Sequence, residues 1–480
     1  MKHTLLLAGL LASMNAMAFC GFYVAKADAK LFNKTSEVIL VRNGEKTTIT
    51  MSSDFEGEVK DFAMVVPVPV VLKKEQVKVI ESSLFRKFDD YSGPRLASYY
   101  DEDPCQPPYV YTWGGMASGG TTYTTIVTDS NGASANYQVK IEAKYSVGEY
   151  DILVLSAQES SGLERWLIDN GYKIPEGAKE VLDPYIKSNL KFFVVKANTD
   201  EMKRLGTDKL RPIQISFNSP KFMLPIRLGM ANATSAQDMI IYAFTKSGRI
   251  ETTNYSTVKM PTNKNVPLFV KDKFGKFYKS VFTRSYKRNG KKSVFLEYAW
   301  DISGAVTQFC DPCVGDPPML QDLANAGVDW VQQYHGGYEG NVFFTRLHVS
   351  YDRANFPQDL QFQETPNKEN YQARYVIHYP PDSKFDCKKS NSYLVELQRR
   401  RQEELNNLVA LTGWDVAQYA NYPSEYNKHI KAGEQHNVKG SSIIPMGENG
   451  SENFGTLLLC LISLGAVIFT LTRRPAVKKS

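Results

Sequence analysis

Residues 454–472 read FGTLLLCLISLGAVIFTLT, hold no charged residue and are followed at once by Arg473 and Arg474. A run of this kind approaches the roughly 20 apolar residues that cross a hydrocarbon core of about 30 Å. Basic residues beside a span stay on the cytoplasmic side. The tail at 473–480, which also carries Lys478 and Lys479, is therefore expected inside, and all preceding chain outside. A large body held on the outer face of a membrane by one C-terminal helix is the topology this dictates.

The other end of the chain agrees. Lys2 precedes a short apolar run at 5–11, and Ala16-Met17-Ala18 has the small-x-small form of a cleavage site. Residues 1–18 are thus read as a secretory signal peptide, too short in its apolar part to span stably. Phe19 stands where a lipoprotein signal needs a small residue before Cys20. The remaining organisation reads as a β-rich ectodomain at 19–365, open to division into two sub-domains, and a helical C-terminal extension at 366–430. A polar stalk at 431–453, the transmembrane helix at 454–472 and a cytoplasmic basic tail at 473–480 complete it. Sorting tails removed on surface attachment share the pattern of a short span and terminal arginines. No LPxTG-like signal is present, so retention in the cytoplasmic membrane with the body in the periplasm or outside is expected, with the cell surface after processing as the alternative.

Charge narrows the partners. Lys2, Arg473, Arg474, Lys478 and Lys479 lie in the end segments, so the 57 basic residues of the chain leave 52 against 51 acidic ones in the body. A near-neutral body argues against nucleic acid or an anionic lipid surface as its partner, a local patch of charge excepted. The exported part holds Cys20, Cys105, Cys310, Cys313 and Cys387, while Cys460 lies in the span. An oxidising compartment favours disulfides among them, and an odd number leaves at least one thiol over.

Strand signals dominate the first half. Residues 37–42 and 45–51 flank Asn43-Gly44, which suits the positive φ of a type I′ hairpin turn. A buried strand is predicted within 58–71, with Pro67 and Pro69 forcing that end to an edge or an exit. Helical spacing runs through 75–89. Strands are predicted at 121–129, 135–145 and 149–157, then a helix at 163–170 opened by a capping box from Ser161 to Glu164. A second helix over 176–190 is bent at Pro184. Further strands follow at 192–197, 211–218, 222–230 and 239–244.

Four segments carry a resemblance: DFAMVVPVPV (61–70), GLERWLIDNGYKIP (162–175), RPIQISFNSPKFMLPIRL (211–228) and CDPC (310–313). FFTRLHVSYD (343–352), ahead of Asp359-Leu360, fits the same pattern. In this order they resemble a bacterial exported family, domain of unknown function 2330. The resemblance covers roughly 20–365. It implies export and C-terminal anchoring in a bacterial envelope, and brings no activity or catalytic residue with it. Beyond it the spacing predicts a basic amphipathic helix over 271–287, strands at 293–300, 341–351 and 372–379, and a short helix at 317–326. A long helix over 391–411 carries Leu394, Leu397, Leu405, Leu408 and Leu411 on one face, with Glu396 placed to pair with Arg400.

Chemistry is sparse. Cys310 and Cys313 are the redox candidates, since two thiols three apart can close an exchangeable disulfide. Structural bridges to Cys20, Cys105 or Cys387 are the competing reading, and half a zinc site a further one that no second pair completes. His335 sits in a loop, His348 and His378 in predicted strands, where a hydrogen-bonded structural imidazole is the default. Asp101, Glu102 and Asp103 lack the alternate spacing of a calcium loop and read as a solvated acidic loop. No G-x-S-x-G elbow is present, and no Gly-Lys-Ser/Thr follows the glycines at 114–120. Tyr99, Tyr100, Tyr109, Tyr111, Trp113 and Tyr123 form an aromatic stretch suited to glycan or peptide.

The expectation is therefore an α+β fold: an antiparallel β-rich ectodomain with interspersed helices, plus one C-terminal transmembrane helix. A non-enzymatic binding or scaffold protein of the cell envelope is the leading function. Its partners would be the membrane, through the helix, and an envelope protein or glycan. A thiol–disulfide oxidoreductase using Cys310 and Cys313 is the first alternative, and a metal-dependent hydrolase around His335 the second. No cofactor or metal is called for, and no ligand-binding residues are assigned.

Overall fold

Alternating apolar residues in the hairpin at 36–51 decide the architecture, because the strand period of two sends successive side chains to opposite faces. A computed structural model describes residues 22–23, 36–52, 63–106, 139–170, 178–207, 209–231, 236–304 and 315–426. In it Val38 and Leu40 point to one core while Ile39 and Val41 point to another. The hairpin lies inside a nine-stranded sheet. Its order is Ser256–Lys259, Ser293–Asp301, Phe343–Tyr351, Gln237–Thr245, Ser36–Asn43, Lys46–Met51, Ile213–Asn218 and Val77–Val79, with Tyr371–Gln372 joining the Ser293–Asp301 strand. Its pairings are antiparallel, except that Gln237–Thr245 runs parallel to Ser36–Asn43 and Ser256–Lys259 parallel to Ser293–Asp301.

A five-stranded antiparallel sheet packs against it, in the order Phe22–Tyr23, Ala63–Val68, Lys191–Ala197, Tyr150–Ala157 and Val139–Val147. Val38, Leu40, Ile49 and Met51 from the large sheet share one core with Met64, Val66, Ile152 and Val195 from the small one. Helices cover both outer faces. Ser160–Asp169 and Ala178–Lys187 bury Leu163, Trp166, Leu182 and Tyr185 against the small sheet. Ser83–Ser92 and Leu320–Ala326 bury Phe85, Phe88 and Leu323 against the large one. The result is a helix–sheet–sheet–helix stack, a mixed α+β fold with mostly antiparallel sheets and seven α-helices among the described residues. Phe88 is wholly buried beside Phe244 and Phe344. Truncating such a ring to Ala costs about 3–5 kcal/mol.

At the far edge of the large sheet, Phe274–Arg288 and Ser390–Thr412 pack through Phe277, Val281, Leu405 and Leu408. The Arg374–Tyr379 strand sits beside them and runs parallel to Arg95–Tyr100.

Several local readings change. Residues 75–89 are not one helix: Lys74–Gln76 is a 3-10 turn, Val77–Val79 pairs with Ile213–Ile215, and the helix starts at Ser83. The two valines find a sheet edge, and tertiary pairing overrides the helical spacing. In the hairpin, Asn43 pairs with Lys46, so Gly44 and Glu45 form the loop. Gly44 alone has positive φ, +59°. That is the two-residue loop with glycine first, the II′ form, which spares Glu45 a left-handed conformation. The helix at Ser160 is preceded by Glu159 at the cap, and Ser161 bonds to Glu159 instead of capping. The 222–230 segment keeps only Met223–Leu224 as strand. Pro67 does sit in a strand, opposite Phe192, and among the described residues nothing pairs with its other side. The segments 1–18, 121–129 and 431–480, and with them the signal, stalk and span, lie outside the described residues. Among the described residues no helix is long and apolar enough to cross a membrane.

Candidate functional site

A β-bulge builds a charged cleft in the body. The register of the Ser293–Asp301 and Phe343–Tyr351 strands shifts between Leu296 and Tyr298, leaving Glu297 as the extra residue. Bulges re-aim a side chain, and here the carboxylate meets Arg346 and His348 on the neighbouring strand. Arg346 Nε donates to Glu297 Oε2 at 2.6 Å, and His348 Nδ1 lies 2.8 Å from Oε1. Tyr278, from the Phe274–Arg288 helix, donates its hydroxyl to Oε1 at 2.5 Å. Arg346 also reaches Asp89 Oδ1 at 2.6 Å, which ties the Ser83–Ser92 helix into the network. Tyr242 bonds Glu37 and Asp89 from below. Phe282 stacks on the imidazole of His348 with centroids 3.7 Å apart.

Tyr278, Glu297, Arg346 and His348 floor an open cleft of about 390 Å³ with exposed Asp89 and Asp90 at its mouth and buried Arg95 in its wall. Gly93 shapes the mouth, since a Cβ there would lie 2.8 Å from the Asp89 carbonyl oxygen. Glu297 is 1% exposed. Burial alone would push its carboxyl up, but His348, Arg346 and the Tyr278 hydroxyl outweigh that and hold it at about 2. Burial and the adjacent Glu297 carboxylate push the Tyr278 phenol well up. The Arg346 guanidinium is raised against its own burial by Tyr242, Glu297 and Asp89.

At neutral pH Glu297 is thus a fixed anion and Arg346 a fixed cation, and each neutralises the other. A carboxylate that stays ionised down to about 2 is poorly matched to general acid–base work at neutral pH. Among the described residues no three His, Cys, Asp or Glu side chains converge as a metal site, and no Ser, Thr or Cys lines the cleft. What the arrangement offers is a rigid charged floor with the more exposed carboxylates of Asp89 and Asp90 at its entrance.

A second knot joins the acidic trio to the C-terminal helix. Asp101 accepts two bonds from Arg400 and one from Tyr393 at 2.6 Å, with His378 Nδ1 at 3.6 Å. The solvated-loop reading is corrected here: Asp101 is a half-buried ion-pair partner, and Asp103 accepts the Cys105 N–H. Burial would raise the Asp101 carboxyl, but Arg400 and Tyr393 hold it below the usual range. Arg400 is therefore not the partner of Glu396, which pairs with Arg399 instead. One turn on, Glu404 is 2% exposed and accepts the Tyr422 hydroxyl at 2.8 Å. Burial pushes its carboxyl up to about 7, against the pull of that hydroxyl and of Arg400 and Arg401.

Cys105 and Cys387 form a disulfide beside this knot, 282 residues apart. Cys20, Cys310 and Cys313 lie outside the described residues, as do Tyr109, Tyr111, Trp113 and Tyr123. His335 occupies the exposed turn between Gln332–Tyr334 and Gly337–Glu339, with positive φ and its ring edge against Tyr334. His348 and His378 both face carboxylates, as described. Elsewhere Asp359 accepts the backbone N–H groups of Ile226 and Arg227 and the Tyr185 hydroxyl, pinning the FMLPIRL segment.

Sequence reading did not single out Glu297, Arg346 or Asp89. The available signal was a lone charge inside each of two apolar strand runs, SVFLEYAW and FFTRLHVS. A charge there must be paired if it is buried.

The chain belongs to the family of domain of unknown function 2330, described as an uncharacterized protein conserved in bacteria, whose sequence model matches residues 14–363. No curated protein and no solved structure matches the chain.

Proposed function

We propose that the protein is an exported, membrane-anchored envelope protein whose body binds its ligand without converting it, with the Asp89–His348 cleft as the recognition surface. The carrying observation is the self-neutralised floor: Glu297 is engaged by Arg346, His348 and Tyr278 at once. Such a network holds shape and charge for a partner and leaves no side chain poised to attack one. The Cys105–Cys387 disulfide supports export, because such bridges persist in oxidising compartments. The segments 1–18, 454–472 and 473–480 then act as signal, anchor and cytoplasmic tail, as their composition implies. The test is retention of soluble envelope fragments by the purified chain, compared with Asp90→Ala, which alters the mouth and spares the floor. Weaker retention by the variant supports the reading. Release of altered fragments with no retention overturns it, as does a reporter fused after Lys388 that is active only in the cytosol.

A second reading gains from the same disulfide. With Cys105 and Cys387 joined, Cys310 and Cys313 have only each other and Cys20 as partners within the exported body. As an exchange pair, the thiolate of one attacks a substrate disulfide, and the other then displaces the reduced substrate and closes the pair. A Cys313→Ser variant would trap the mixed disulfide. A stable Cys20 bridge to either thiol ends this reading.

A further inference from the structure

The near-neutral body hides one concentrated charge. Between positions 271 and 292 the chain carries nine Lys and Arg against the single acid Asp272. The Phe274–Arg288 helix sorts them: Phe277, Val281, Phe282 and Ser285 are buried, while Lys276, Lys279, Thr283 and Lys287 lie exposed along the opposite face. Lys271 and Lys273 extend this face at one end, and Lys291 and Lys292 at the other, all exposed. Elsewhere on the body surface lysines find carboxylates, as Lys46 does with Asp329 and Lys259 with Glu369. Among the described residues none of these helix-face cations has a carboxylate within ion-pair distance. Aromatic rings hold some of them instead: Lys271 over Tyr379, Lys273 over Tyr419 and Lys276 over Trp414, at 5.5, 5.7 and 5.6 Å. Tyr100, 78% exposed, stacks on Tyr379 at the same end.

We infer that this face docks on a bilayer surface bearing anionic headgroups, and that it does so beside the protein's own anchor. The inference rests on the anchored reading proposed above. Three observations carry it. The surface is the exposed ridge of a 15-residue helix, about 22 Å long. A plane can touch such a ridge all along, whereas a polymer chain is held in a groove. Its composition, lysines interleaved with Tyr and Trp, is that of side chains that sit at headgroup level. The described chain also ends close by: the Tyr422 hydroxyl accepts the Leu268 N–H, and four residues later the description stops at Tyr426. Residues 427–453 then separate the body from the apolar segment. A chain of that length spans at most about 95 Å, which keeps the ridge within reach of the bilayer. The exposed face carries no Leu, Ile or Phe, so it would rest on headgroups without inserting.

The test reconstitutes the full chain into vesicles of phosphatidylcholine alone or mixed with phosphatidylglycerol. Flotation reports the anchor, and amine-reactive labelling read by mass spectrometry reports Lys276, Lys279 and Lys287. Docking predicts several-fold lower labelling of these three in phosphatidylglycerol vesicles, restored by high salt because screening shortens the reach of surface charge. Each lysine near an anionic surface contributes about fivefold. The K276Q/K279Q/K287Q variant should therefore lower the docking equilibrium about 100-fold with its unfolding midpoint unchanged, since all three side chains are exposed. Flotation with equal labelling in both vesicle types overturns the docking and leaves the anchor standing. Protection by a soluble acidic polysaccharide but not by phosphatidylglycerol also overturns it. Failure to float overturns the anchored reading and this inference with it.

Discussion

Replacing Glu297 by Gln removes the charge that the floor of the cleft is built around. Holding a buried carboxyl at about 2, against an ordinary value of 4.5, corresponds to roughly 3 kcal/mol of preference for the anion. Removing one member of a buried ion pair costs about 3–5 kcal/mol by independent measure. Glu297→Gln should therefore lose about 3 kcal/mol at pH 7, read as a shift in the urea midpoint followed by tryptophan fluorescence. The pH dependence gives the sharper check. A depressed folded value means the stabilisation is complete above the unfolded value and is lost as pH falls through the folded one. The gap between wild type and variant should shrink from about 3 kcal/mol at pH 7 to about 1 kcal/mol at pH 2.5. Adding Arg346→Met should recover part of the loss, because the variant's penalty is mostly the orphaned guanidinium. A gap of the same size at both pH values, or one under about 1 kcal/mol at pH 7, would refute the claim that the carboxylate is held by its partners.

Three further outcomes follow from other buried groups. Removing the disulfide with Cys105→Ala and Cys387→Ala releases a loop of 282 residues; loop-closure entropy alone gives about 5–6 kcal/mol, and a midpoint shift below 1 kcal/mol would count against that account. Glu404 behaves oppositely to Glu297: its folded value near 7 exceeds the ordinary 4.5, so the folded state binds the extra proton and stability falls by about 3 kcal/mol as pH rises from 4.5 to 7. Glu404→Gln should flatten that slope and be the more stable form at pH 8, and an unchanged slope would rule this out. Asp359→Ala leaves the N–H groups of Ile226 and Arg227 and the Tyr185 hydroxyl unmet, and should cost about 3–5 kcal/mol in thermal or urea unfolding.

Strands and core helices were legible because their signals are local. The leucine face of Ser390–Thr412 is buried at Leu394, Leu397, Leu405, Leu408 and Leu411. The 36–51 hairpin and the strand that ends at Val68, just past Pro67, follow from β-branched runs and from the missing proline donor. Val77 and Val79 misled because a strand edge far along the chain, Ile213–Ile215, outbids the local spacing. The cleft was illegible for a related reason. Asp89, Tyr278, Glu297 and Arg346 come from four separate elements, and only the bulge after Leu296 sets Glu297 beside Arg346. Nothing in SVFLEYAW announces that bulge. The acidic trio was misread because its partner, Arg400, lies 299 residues away.

The family match stops at residue 363, but the body does not. Arg374–Tyr379 supplies a parallel neighbour to Arg95–Tyr100, Tyr371–Gln372 adds to the large sheet, and Cys387 is bonded to Cys105. Arg400 closes on Asp101, the residue that follows that strand's last pair. The segment after the family boundary is thus tied to the body by sheet pairing, a covalent bridge and a half-buried ion pair at one place. Tension arriving along residues 427–453 from an anchor would meet Tyr426 and the Ser390–Thr412 helix first, and those three ties next. On the proposed anchored reading, the knot at Asp101 and Cys105 would pass a pull on the C-terminus from the helix to the sheet. That location gives a physical reason for combining a disulfide with a two-bond Arg–Asp pair there, since neither would be needed to seal a core that Leu405 and Leu408 already close.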